Sequence, residues 1–161
     1  MGSKSIDFSG PFFYWGAMLN ILILNGPNLN LLGIRQPEVY GKTTLEEIAQ
    51  NCRQRARELG MKIDFRQSNH EGELIDWIHQ ARGSFDGLII NAGAYTHTSI
   101  ALHDAILSVE IPTLELHLSN IKEREAFRQI SYIEPVAFTA IMGHGPEGYL
   151  MALEAINSHL A

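Results

Sequence analysis

Five short apolar runs punctuate this chain, and the stretches between them have helical rather than strand periodicity. The runs are "MLNILILN" (18–25), "MKIDFRQ" (61–67), "FDGLIIN" (85–91), "IPTLELH" (111–117) and "VAFTAIM" (136–142), each the length of one strand. "MLNILILN" and "FDGLIIN" are nearly continuous in apolar character, as strands buried on both faces require, whereas "MKIDFRQ" alternates and suits a place nearer the sheet edge. Thr43 and Thr44 precede Glu46 and Glu47 by three residues, which offers two registers of one capping box. Leu45, Ile48, Ala49, Cys52, Ala56 and Leu59 then recur at helical spacing up to Gly60. Residues 72–82 form a second amphipathic pattern, and a third helix is capped by Ser99 or Thr98 and runs to about Val109. A short charged helix is expected near Asn120, and Pro146 sits in the first turn of a final helix bearing Leu150, Leu153, Ile156 and Leu160. Strands alternating with helices predict an α/β protein with a parallel sheet covered on both faces. Right-handed crossovers make a flavodoxin-like three-layer fold, strand order 2-1-3-4-5, the economical arrangement.

Length and composition narrow the function. A chain of 161 residues with 45% hydrophobic and 19% charged content is expected to form one domain around a substantial core. The formal charge of −6 with no basic run argues against nucleic acid as a partner, and no apolar run is long enough to span a membrane. The single cysteine, Cys52, precludes an intrachain disulfide and fits a reducing, cytoplasmic setting; its place in an apolar stripe makes it core, not a nucleophile. The opening "MGSKSIDFSGPFFYWGA" has no periodic face, so residues 1–17 read as an extension ahead of a single catalytic domain, 18–161.

In such a sheet, ligands bind beyond the carboxyl ends of the strands at the switch point. The polar residues concentrate there: "NGPNLNLLGIRQPEVYG" (25–41) after strand 1, "NAGAYTHTS" (91–99) after strand 3, and "HLSN" (117–120) after strand 4, with Arg124 and Arg128 just beyond. The first of these is long for a strand-to-helix connection, and its Pro37 and flanking glycines mark a loop. No histidine pair has metal-ligand spacing, Ser99 and Ser119 suit helix caps better than a nucleophile elbow, and the first loop has neither a phosphate-cradling lysine motif nor a Rossmann glycine pattern.

Proton-transfer chemistry on a small polar molecule remains. His117, at the end of strand 4, is a candidate general acid or base because imidazole titrates near neutral pH. Tyr40 is a poor base as a neutral phenol, with an ordinary pKa of about 10, but a nearby guanidinium favours the phenolate. Arg35 and Tyr40 share one loop and can supply both halves of that pair. Arg128 is a candidate for a bidentate carboxylate contact. His97 and Asp104, seven residues apart, are expected on one edge of the helix after strand 3, and Asn91 closes that strand with an amide facing the crevice. Neutral donors and acceptors with few cations suit a polyhydroxylated monoacid better than a nucleotide.

The blocks "LNILILNGPNLNLLGIRQPEVYG", "SNHEGELIDWIHQA", "IINAGAYTHTSIALHDAI", "ELHLSNIKEREAFR" and "SYIEPVA" closely resemble the type II 3-dehydroquinate dehydratases, from about Met18 to the C-terminus. The resemblance implies a cofactor-free hydro-lyase that converts 3-dehydroquinate to 3-dehydroshikimate by anti elimination through an enolate, in the shikimate pathway or in quinate breakdown. On that pattern Tyr40 takes the C2 proton, Arg35 lowers the tyrosine's pKa, and His117 protonates the departing hydroxyl. Asn28 places a water near the enolate oxygen and Glu115 orients His117. Asn91, His97, Asp104, Leu118, Ser119 and Arg128 match the substrate-binding set. The resemblance also implies a homododecamer, a tetramer of trimers. Two positions depart from the usual pattern: His103, where many members have arginine, and "GHGPEGY" (143–149). The rival expectation is a catalytically silent flavodoxin-like protein that binds a small acid.

Overall fold

The computed structural model describes residues 16–161, so the extension expected over residues 1–17 lies almost entirely outside the described residues. Five parallel strands form one sheet in the order β2-β1-β3-β4-β5: β1 Asn20–Asn25, β2 Lys62–Gln67, β3 Gly87–Asn91, β4 Thr113–His117 and β5 Thr139–Met142. The helices are α1 Pro37–Tyr40, α2 Leu45–Glu58, α3 Glu71–Ala81, α4 Ile100–Val109 and α5 Glu147–Leu160. This is the flavodoxin-like architecture expected from the alternation of elements.

Strand β1 shows why the chain makes two cores. Successive side chains of a strand point to opposite faces. Ile21 and Ile23 pack with α2 and α5, through Ile48, Cys52, Leu153 and Ile156. Leu22 and Leu24 pack with α3 and α4, through Leu74, Ile78, Leu102 and Ile106. The central strands β3 and β4 are buried along their whole length, whereas β2, at the sheet edge, is only half-buried. Cys52 is fully buried in the first core, and burial pushes its thiol pKa up to about 12, so it is an inert core residue.

Of the two capping registers, Thr44 is the one used. Its Oγ1 accepts from the Glu47 N–H, and Glu47 Oε2 accepts from the Thr44 N–H at 2.8 Å. Ser99 caps α4, its Oγ accepting from the Leu102 N–H at 2.9 Å. The fifth strand is shorter than the apolar run: Val136 belongs to a 3-10 turn, Glu134–Val136, and the strand starts at Thr139. Pro146 stands at the cap of α5, one residue before its first turn. The charged segment after Asn120 is not one helix but two 3-10 turns, Ile121–Glu123 and Ala126–Arg128, separated by Arg124, in an extended conformation, and Glu125.

Two glycines set the geometry at the carboxyl ends. The Gly26 N–H donates to the Asn91 carbonyl at 2.8 Å, and a Cβ on Gly26 would stand 2.2 Å from the Ala92 carbonyl oxygen. Since that neighbour is backbone, Gly26→Ala is expected to cost about 2–3 kcal/mol or more. A thermal melt should read this as a fall of roughly 5–10 °C. Gly33 adopts φ +86 with its Cα against the Lys42 carbonyl, where a Cβ would approach to 2.8 Å. The two ends of the 33–42 loop therefore lie close together.

Candidate active site

The segments that follow β1, β3 and β4 enclose a crevice of about 230 Å³ at the β1/β3 switch point. Asn28, Arg35, Tyr40, Asn91, His97, His117, Leu118, Ser119 and Arg128 all line it, as does Arg124. Of the residues singled out from the sequence, Glu115 lies behind this wall and Asp104 stands away from it.

Each lining group is held by local geometry. Asn28 adopts the left-handed conformation, φ 68, with its N–H donating to Asn69 Oδ1 at 3.0 Å. The segment that Pro37 and its flanking glycines mark as a loop contains one helical turn, α1, started by Pro37 after Gln36 at φ 42. That turn aims Tyr40 inward. The Arg35 guanidinium carbon lies 5.8 Å from the Tyr40 ring centroid, within cation–π range, so these two residues do meet. The hydroxyl itself belongs to a different arginine: Arg124 Nη1 donates to Tyr40 Oη at 3.0 Å and lies 3.3 Å from Ser119 Oγ. The Tyr40 hydrogen bond holds the Arg124 pKa above its ordinary value, with a smaller contribution from Glu125. Arg124 Nε and Arg128 Nε both approach Glu125 Oε2, at 3.4 and 3.2 Å.

Across the crevice, His117 Nε2 donates to Glu115 Oε1 at 2.7 Å, which leaves Nδ1 as the ring nitrogen able to serve a ligand. Glu115 is fully buried, and Oε1 also accepts from Thr96 Oγ1 at 2.6 Å and Ser131 Oγ at 2.7 Å. Burial pushes this carboxyl's pKa up, but the hydrogen bond and charge of His117, with the two hydroxyls, outweigh it and hold the group below its ordinary value. The carboxylate therefore stays ionised beside the imidazole. His97 Nδ1 donates to the Ile130 carbonyl at 2.7 Å, presenting Nε2 as an acceptor. Burial lowers its pKa, the carbonyl bond partly offsets this, and the charges of His117 and Arg128 lower it further.

The structure corrects the expected pairing of His97 with Asp104 on one helix edge. His97 ends a 3-10 turn, Gly93–His97, and α4 begins only at Ile100 because Ser99 caps it in an extended conformation. The seven-residue spacing therefore does not measure two turns of one helix, and Asp104 is exposed on α4, outside the crevice of its own chain. Arg124 was missed as a partner of Tyr40. Its only sequence signal is its place four residues before Arg128 in a charged run, and the contact spans 84 residues of chain. Among the described residues, no group of three or more His, Cys, Asp or Glu side chains is placed to hold a metal ion, and no helix is long and apolar enough to cross a membrane.

Fold and site together define a flavodoxin-like α/β protein whose switch-point crevice brings a phenol, an imidazole and arginine guanidinium groups together. A family model described as dehydroquinase class II matches residues 19–157, and the chain belongs to that family. It is 62% identical over 142 residues to the 3-dehydroquinate dehydratase of Dinoroseobacter shibae, covering 88% of this chain and 95% of that one. It is 58% identical over 134 residues to 3-dehydroquinate dehydratase 2 of Pseudomonas aeruginosa, covering 83% and 90%. Among solved structures, the type II dehydroquinase from Butyrivibrio crossotus superposes with a TM-score of 0.86 at 44% identity, over 88% of this chain and 99% of that one.

Proposed function

We propose that the crevice dehydrates 3-dehydroquinate to 3-dehydroshikimate, the hydro-lyase reaction of the shikimate pathway named in its relatives. The observation that carries this reading is the pairing of a phenol bound by Arg124 with a carboxylate-backed imidazole in one small crevice. Elimination next to a ketone needs a base for the acidic carbon, an acid for the leaving hydroxyl and dipoles for the enolate.

Tyr40, as phenolate, takes the C2 proton and the electron pair moves into the ketone as an enolate. Arg35 and Arg124 stabilise the negative phenolate oxygen before that transfer. When the enolate collapses, the bond to the leaving hydroxyl breaks and His117 supplies the proton that makes it water; Glu115 fixes the orientation of the ring. Asn28 serves the enolate oxygen through a water. Leu118 and Ser119, at the turn after β4, serve the substrate carboxylate together with Arg128, while Asn91 and His97 serve its hydroxyls. Asp104 joins this set only through assembly, presented by a neighbouring copy in a homododecamer built as a tetramer of trimers. The setting of the reaction is the cytoplasm.

Incubation with 3-dehydroquinate is expected to give a rising ultraviolet absorbance from the conjugated enone product. No rise from folded protein would overturn the reading and favour the silent small-acid binder. Arg124→Ala is expected to lower kcat at neutral pH by roughly 10–100-fold, the loss of one charge-assisted hydrogen bond to the reacting oxygen. Arg124→Lys should recover part of this, because it restores charge without the fork. A kcat for Arg124→Ala within twofold of the parent would remove the residue from the activation role.

A further inference from the structure

The "GHGPEGY" segment after β5 is given no role by the chemistry above, yet it touches all three site-bearing strands from beneath. The Gly143 and Gly145 N–H groups donate to the His117 and Leu118 carbonyls at 3.3 and 2.9 Å, which supports the turn after β4. Tyr149, the last residue of the segment, enters the sheet from the first turns of α5 and is 1% exposed. Its hydroxyl donates to Asn25 Oδ1 at 2.6 Å and accepts from Asn91 Nδ2 at 3.1 Å. Asn25 and Asn91 are register partners at the carboxyl ends of β1 and β3.

The polarity of this chain of bonds is fixed at both ends by backbone groups that have no choice of role. The Gly93 N–H can only donate, and it donates to Asn91 Oδ1 at 3.3 Å. Asn91 Nδ2 must therefore turn to Tyr149, whose oxygen accepts and whose hydrogen must go to Asn25 Oδ1. Asn25 Nδ2 then donates to the Arg66 carbonyl at 2.9 Å, an acceptor only. Reversing the Asn91 amide would set donor against donor at Gly93 and leave two buried groups unpaired. Burial pushes the Tyr149 pKa up, so the phenol keeps its proton and its double role throughout turnover.

We propose that Tyr149 is a positioning residue for substrate recognition: it locks the Asn91 amide so that the second Nδ2 hydrogen and the second Oδ1 lone pair face the crevice. The inference rests on the reading of Asn91 as a substrate contact. Removing the phenol oxygen leaves Asn25 Oδ1 and Asn91 Nδ2 facing each other across the β1–β3 register, and their pairing draws the amide away from the ligand.

Steady-state kinetics on Tyr149→Phe, Asn91→Ala and the double variant test this. Tyr149→Phe is expected to raise KM about tenfold with kcat within about threefold, the scale of one buried hydrogen-bond partner lost. A merely structural role would lower the active fraction, and so the apparent kcat, while leaving KM in place. In the Asn91→Ala background, Tyr149→Phe should raise KM no further. Asn25→Leu asks the same question without touching the phenol. It removes the acceptor for the hydroxyl hydrogen, which then opposes Asn91 Nδ2, and KM should rise here too. An unchanged KM in Tyr149→Phe and Asn25→Leu, with Asn91→Ala raising KM, overturns the positioning role and keeps Asn91 as a contact. A further KM increase in the double variant overturns it as well. If Asn91→Ala itself leaves KM unchanged, the Asn91 assignment falls and the role of Tyr149 with it.

Discussion

Tyr40→Phe should lower kcat by roughly 10²–10⁴-fold, the range for loss of a positioned base, while leaving the affinity for a substrate-like acid nearly intact. The structure gives both halves of this expectation. Tyr40 packs against the core cluster through its ring, and two guanidinium carbons, of Arg35 and Arg124, lie 5.8 Å from the ring centroid. Phenylalanine keeps the ring and its packing. Only the oxygen is lost, and with it the group that takes the proton. Arg124 retains Ser119 Oγ at 3.3 Å and its approach to Glu125, so the guanidinium is not abandoned by the change. A titration with a non-reacting analogue should therefore give a Kd close to that of the parent, and steady-state turnover should collapse. Turnover near the parent rate would remove Tyr40 from the base role, whatever the binding result.

How much of this was legible in the sequence depends on how local each cause is. The sheet was legible because apolar periodicity is a local record of burial: β1 and β3 read as continuous runs and are interior, β1 from Ile21 onward and β3 throughout, and "MKIDFRQ" alternates and lies at the edge. The Thr44 cap and the Ser99 cap were legible for the same reason, each being decided within three residues. The segment after Asn120 was not, since it has no apolar stripe to stabilise a helix. The Asn120 side chain caps one 3-10 turn through the Lys122 N–H, and the extended Arg124 interrupts the chain before the next.

The site divides along the same line. Residues that a strand end delivers, Asn91 and His117, fell where the topology puts them. Asp104 did not reach the crevice, because the break at Thr98–Ser99 uncouples its helix from His97. Arg124 became the hydrogen-bond partner of Tyr40 only through a contact that closes the first loop onto the fourth, a relation no spacing encodes. The Thr96 and Ser131 hydroxyls that hold Glu115 are likewise long-range: they come from the turns after β3 and after β4 and meet on one carboxylate oxygen. Without these donors a fully buried carboxylate would be costly in its ionised form.

His117→Ala should match Tyr40→Phe in severity, with kcat again reduced by roughly 10²–10⁴-fold, but it should differ in what accompanies the loss. His117 Nε2 is a hydrogen-bond partner of a carboxylate that is buried completely, so removing the ring leaves Glu115 with only the Thr96 and Ser131 hydroxyls. Truncating one side of such a pair destabilises by about 3–5 kcal/mol, and the variant should melt well below Tyr40→Phe, in which the changed residue is only half-buried. The pH dependence carries the sign. The Glu115 pKa is held low in the folded protein, so its contribution to stability is complete above the unfolded carboxylate value of about 4.3 and is lost as pH falls through the folded value. His117 supplies the foremost stabilising interactions behind that depression, its hydrogen bond and its charge. In His117→Ala the folded pKa of Glu115 rises toward the unfolded one, so the acid-side loss of stability should be smaller and should end at a higher pH than in the parent. Urea unfolding followed from neutral pH to about one unit below the unfolded carboxylate value measures this directly. Parallel stability–pH curves for parent and variant would show that His117 does not hold the carboxylate, and the Glu115–His117 unit would lose its place as the acid of the elimination.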